Sequence, residues 1–255
     1  MSQVLDETSV LLRGRRARAL RTAPVRAALF DGGNTILELD YPWLSGLAGS
    51  LGTLATAEDI GMAGARLLRH NSLRYGKTPA PADAGAVLRS SFQAIGEAVG
   101  LAADAAREFA RAVEREDQRD PRGLWRCPSR GAARTLAALR ERGLRLGVIS
   151  NSDGHVEKHL VLAGLRDWFD IVIDSSVVGV EKPDPRIFGL ALQQLQIPAG
   201  DAIYVGDLLD IDVVGARGAG LEALLYDRFD AYPDVTEGRI RALSQVLDRT
   251  AEPHV

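Results

Sequence analysis

Cysteine is almost absent from this chain: Cys127 is the only one among 255 residues, which excludes an internal disulfide. Long apolar runs are missing too. No stretch approaches the roughly 20 residues needed to span a bilayer, so no membrane partner is expected. Nor is there an excess of positive charge, since 31 Lys and Arg stand against 34 Asp and Glu for a net charge of −3. Without a basic field to hold a polyphosphate backbone, no nucleic-acid partner is expected. These absences together predict a protein of the reducing cytoplasm that handles small molecules. Lysine is scarce as well. The basic residues are nearly all Arg, with only Lys77, Lys158 and Lys182 as lysines, so a lysine in a strand-end loop gains weight as a compact point charge.

What is present is an ordinary globular composition, 46% hydrophobic and 25% charged, enough for one large core or a core plus a smaller domain. The arginine-rich run "LLRGRRARALR" (11–21) lacks a following apolar region and a small-residue cleavage site, so it does not read as a secretory signal. Residues 1–24 are expected to form a poorly ordered basic tail outside the fold.

From Val25 onward, short apolar runs bounded by Gly, Asp or Ser alternate with amphipathic stretches. "VRAALF" (25–30), "LRLGVIS" (144–150), "FDIVIDS" (169–175), "AIYVGD" (202–207) and "LEALLYD" (221–227) predict strands covered on both faces. Between them lie "SRGAARTLAALRERG", ending at Gly143, and "DPRIFGLALQQLQ", with Asp184 placed to N-cap and Pro185 at the first helical position. This succession predicts an α/β fold, a doubly wound parallel sheet of Rossmann-like type.

From about Tyr41 to Leu124 no strand is apparent. Thr56 precedes one helical segment as an N-cap, a second runs into Gly100, and "AADAAREFARAVERE" supplies a third. The expected division is an α/β core over 25–40 and 125–255 with an all-helical cap over 41–124. Because this insertion leaves and re-enters next to the first strand, it falls beside the carboxyl ends of the strands, where ligands bind in open α/β sheets. The polar residues at those ends are Asp31, Ser150 with Asn151, Lys182, and Asp207 with Asp212.

In "FDGGNT" (30–35), "VISNS" (148–152), "EKPDP" (181–185) and "VGDLLDID" (205–212) the chain resembles the haloacid dehalogenase (HAD) superfamily, in the branch whose helical cap follows the first strand. The resemblance implies a hydrolase of the phosphatase class acting on a small phosphorylated metabolite. Asp31 would attack phosphorus to form an aspartyl-phosphate. Mg²⁺ would be held by Asp31, the Gly33 carbonyl and Asp207, with Asp212 as ligand or support. The Ser150 hydroxyl, Asn151 N–H and Lys182 would bind the phosphate oxygens.

Gly33 departs from the pattern. Family phosphatases carry an aspartate there that protonates the leaving oxygen and then activates water, a contribution of roughly 10²–10⁴-fold. Its loss predicts transfer from aryl or acyl phosphates but slow reaction of alkyl phosphates. It also leaves open a catalytically impaired protein that binds a phosphorylated ligand or a protein partner. Dehalogenation is disfavoured by the acidic loop at 206–212, and phosphonate cleavage would require a cap lysine, for which Lys77 is the main candidate. Tyr41, Trp43, Arg69, His70, Arg74, His155 and His159 receive no role.

Overall fold

A computed structural model describes residues 24–73, 84–120 and 123–250. Apart from Pro24, the basic tail expected over 1–24 lies outside them, as do Arg74 and Lys77.

Among the described residues six parallel strands form the sheet: β1 (Ala27–Phe30), β4 (Arg145–Ser150), β5 (Ile171–Asp174), β6 (Ala202–Gly206), β7 (Glu222–Tyr226) and β8 (Arg239–Ile240). Their order is β5-β4-β1-β6-β7-β8. The five runs predicted from sequence are all present, each trimmed by one or more residues. The edge strand β8 was not foreseen, because two residues carry no periodicity. A separate antiparallel pair joins β2 (Leu37–Glu38) to β3 (Cys127–Pro128), with Leu37 opposite Pro128 and Glu38 opposite Cys127.

Continuous apolar strands fit a sheet buried on both sides. In β1, Ala27 and Leu29 enter one hydrophobic cluster while Ala28 and Phe30 enter the other, and Ala202 and Tyr204 of β6 separate in the same way from Ile203 and Val205. Alternation of side chains across a strand therefore feeds two cores. The first is covered by a helix at Pro185–Leu195, begun as expected by Asp184 accepting from the Arg186 N–H at 2.9 Å. The second is covered by a helix at Ala132–Glu141.

Among the described residues, four helices occupy the stretch between β2 and β3: α1 (Tyr41–Ser50), α2 (Ala57–Ser72), α3 (Ala84–Ala98) and α4 (Ala103–Arg119). Thr56 and Asp59 form the reciprocal cap that starts α2. These helices build a third cluster around Leu44, Ile60, Phe92, Phe109 and Val113. Arg126 lies where the chain returns from them. It is buried, bonded to Glu116 and Asp120 at 2.9 Å each and paired with Asp40 at 3.2 Å, so the outgoing and returning segments are tied together. No helix among the described residues is long and apolar enough to cross a membrane.

Candidate active site

Parallel strands end on one edge of the sheet, and there the polar residues collect. Asp31 follows β1 directly, its N–H donating to the Val205 carbonyl at 2.8 Å. Ser150 is the last residue of β4, and Asp207 follows β6. Lys182 arrives from the loop before Asp184. Its backbone N–H donates to Asn151 Oδ1 at 2.8 Å and its carbonyl accepts from Asn151 Nδ2 at 2.9 Å. The Asn151 side chain thus clamps this loop to the end of β4, a role the sequence did not suggest.

The Lys182 ammonium is fully buried, and an ammonium has three protons to give. It donates to Asp31 Oδ1 at 2.5 Å, Asp212 Oδ1 at 2.7 Å and the Tyr204 hydroxyl at 3.0 Å. Burial alone would favour neutral lysine, but the carboxylates of Asp212 and Asp31 outweigh it and raise its pKa above the ordinary value. Tyr204 also lies within donating distance of Asp212 Oδ1 (3.0 Å) and the Ile149 carbonyl (3.2 Å). It escaped the sequence reading because one tyrosine in an apolar strand looks like core. The available signal was a hydroxyl needing a partner three residues before Asp207.

The carboxylates are in excess of this one cation. Oxygens of Asp31, Asp207 and Asp212 lie within 4.8 Å of one another. Burial pushes Asp31 up from 3.8 to about 6, with repulsion from Asp212 adding to it and Lys182 opposing. Asp207 is raised well above the usual range by burial and by repulsion from Asp31 and Asp212. Asp212 is fully engaged: Oδ1 faces Lys182 and Tyr204, and Oδ2 accepts from the Leu208 N–H at 2.9 Å. Asp31 and Asp207 therefore form an under-neutralised oxygen pair, the donor set that a hard divalent cation accepts.

Glycines make this convergence possible. A Cβ on Gly206 would stand 2.4 Å from Asp212 Cγ, and one on Gly32 would stand 2.8 Å from Ser150 Oγ. Asn34 takes φ +54°, the left-handed turn geometry that asparagine tolerates. Its Oδ1 accepts from the Tyr41 hydroxyl at 3.2 Å.

A cavity of about 730 Å³ opens over Asp31, Ser150, Asn151, Lys182 and Asp207. His155 and His159 line it, their rings 6.4 Å apart, without joining the acidic cluster. Tyr41 and Arg69 serve structure: Tyr41 packs edge-on against Phe229, and Arg69 stacks over Tyr232 and bonds the Ala231 carbonyl.

Residues 25–220 match the model of the haloacid dehalogenase-like hydrolase family. The chain belongs to that family. A phosphoserine phosphatase of Thermus thermophilus is 35% identical over 208 residues, spanning 79% of this chain and 76% of that protein. The mouse haloacid dehalogenase-like hydrolase domain-containing protein 3 is 44% identical over 95 residues, 37% of this chain and only 38% of the mouse protein. Among solved structures, a magnesium-bound HAD hydrolase of Bacillus subtilis superposes with a TM-score of 0.57 over 89% of this chain and 99% of that one, at 22% identity. At that identity the likeness speaks for the HAD fold alone.

Proposed function

We propose that this HAD hydrolase is a metal-dependent phosphatase-type enzyme acting on a small phosphorylated metabolite, with Asp31 as nucleophile. The observation that carries the reading is the buried Asp31–Lys182–Asp212 network set beside the under-neutralised Asp207. Lys182 holds one Asp31 oxygen in place and supplies positive charge at the reacting centre. Asp212 and Tyr204 hold Lys182. Asp31, Asp207 and the Gly33 carbonyl would hold Mg²⁺, and the engaged oxygens of Asp212 favour a supporting role over ligation. When bound, Mg²⁺ would screen the charge of Asp31 and an incoming phosphate from each other. Ser150, Asn151 and Lys182 would take the phosphate oxygens, Lys182 by exchanging one of its three present acceptors.

Transfer to Asp31 would give an aspartyl-phosphate that water then hydrolyses. The helices over 41–124 would serve as the cap, and the cavity suits a metabolite-sized ligand. Phosphoserine phosphatase, the activity named for the Thermus relative, makes phosphorylated metabolites the natural first panel.

The test is phosphate release from an activated aryl phosphate, with and without Mg²⁺, compared with Asp31→Asn. A burst with a trappable phosphoenzyme is expected, because Gly33 supplies no base for the second step. Equal behaviour of wild type and Asp31→Asn, without a phosphoenzyme, would leave the impaired binding protein as the reading.

A further inference from the structure

Position 33 stands two residues beyond Asp31, and what faces it is an aromatic ring. A Cβ built on Gly33 meets three carbons of Trp125, Cη2 at 3.1 Å, Cζ3 at 3.2 Å and Cζ2 at 3.3 Å. All three are carbons of the six-membered ring of the indole and none is the nitrogen, so the atoms that face position 33 have no proton to give. Gly33 is not in the left-handed region, so backbone strain does not require glycine there. Space does.

The chain fixes the pair through β2 and β3. Trp125 lies two residues before Cys127, which pairs with Glu38, and the Ser129 N–H donates to the Ile36 carbonyl at 2.8 Å. The ladder therefore sets Trp125 against the turn that follows Asp31. Trp125 also lines the cavity over Asp31, where Leu68, Leu88 and Leu124 add apolar surface from the helical side.

We infer that Trp125 is a specificity residue that crowds the space a side chain at 33 would enter and presents an aromatic wall to the leaving group, matching the enzyme to aryl phosphates. This rests on the phosphatase reading above. Asp31 attacks phosphorus and the P–O bond to the aryl oxygen breaks, its electron pair leaving as a phenolate that takes a proton from water. Water then attacks phosphorus, the P–O bond to Asp31 breaks, and hydrogen phosphate departs. The net reaction consumes one water and releases a phenol. No acid is needed in the first step, since a phenol has a pKa near 10, the value for tyrosine. An alkoxide is far more basic and needs the proton that neither Gly33 nor the indole edge supplies.

The experiment compares phenyl phosphate with benzyl phosphate, which offers the same ring on an alkyl leaving oxygen. Assays with Mg²⁺ use wild type, Trp125→Leu, Trp125→Phe, Gly33→Asp and the Gly33→Asp/Trp125→Leu double variant. Wild type should favour phenyl phosphate in kcat. Trp125→Leu should raise KM for both esters about 3–10-fold, the scale of one lost aromatic contact, and Trp125→Phe should raise it less. Gly33→Asp alone should not speed benzyl phosphate. The double variant should speed it by about 10²-fold, because the carboxyl then has room.

Stability gives a second readout free of activity. Gly33→Ala should lower the melting temperature in the wild type but not beside Trp125→Leu. Should Trp125→Leu fail to fold, Trp125→Phe and the Gly33→Ala effect in wild type still decide. Rescue by Gly33→Asp alone, an unchanged KM in the Trp125 variants, or no thermal effect of Gly33→Ala would overturn the inference while leaving the phosphatase reading intact. Absence of phosphate release from both esters in wild type would instead overturn the phosphatase reading and the inference with it.

Discussion

Replacing Lys182 by Met removes the one cation, among the described residues, that the site's carboxylates share. Methionine keeps much of the side chain's volume, so the cavity term is small and the electrostatic loss dominates. Three hydrogen bonds go at once, to Asp31, Asp212 and Tyr204, at a position only 2% exposed. Stranding a buried charge in this way costs about 3–5 kcal/mol. At roughly 2–4 °C per kcal/mol for a domain of this size, the melting temperature should fall by about 6–20 °C. The assay is denaturant unfolding in chelator, so that metal does not mask the loss. Two internal controls follow from the same physics. Adding Asp212→Asn should recover part of the loss, since it removes the carboxylate that Lys182 had balanced. Lowering the pH from 7 to 5 should also narrow the gap, because Asp31 and Asp207 already have raised pKa values, and without Lys182 they protonate still more readily. A loss below about 1 kcal/mol that responded to neither control would refute the account of Lys182 as the charge that holds this site together.

Three further outcomes are expected. In metal-free protein Asp31 is raised from 3.8 to about 6, so its contribution to stability is fully present below 3.8 and is lost as pH rises through about 6, a change on the order of 3 kcal/mol. A Mg²⁺ ion held by Asp31 and Asp207 would displace that proton and the one that Asp207, raised in the same direction, holds; calorimetry should therefore show affinity rising with pH through about 6, with proton release on binding. Asp207→Ala should abolish metal-dependent stabilisation, which otherwise reaches about 2.7 kcal/mol at a hundredfold excess over Kd, and persistent Mg²⁺ binding in the variant would contradict the assignment. Gly206→Ala should cost about 1–3 kcal/mol and most of the activity by driving Asp212 off Lys182 and Leu208, since the new Cβ would lie 2.4–2.7 Å from three Asp212 atoms. Unchanged melting and turnover would show that Asp212 has room to move.

The sequence determined the parallel sheet, the helical stretch between Tyr41 and Leu124, and the identity of the residues at the strand ends. Each is written in a local signal: β1 is apolar at every position and β6 free of charge because both faces are covered, Thr56 and Asp184 announce their helices, and parallel strands must deliver Asp31, Ser150 and Asp207 to one edge. Tertiary structure alone decided how those residues are neutralised and what surrounds them. Tyr204 supports Lys182 across 22 positions, and Asn151 clamps the Lys182 loop across 31. Trp125 meets Gly33 only because β3 pairs with β2 after the four intervening helices have been traversed. Such contacts leave no periodicity in the chain, since they depend on the close approach of segments distant in sequence. The missing carboxylate at 33 was legible from the start; that an indole lies against that position was not.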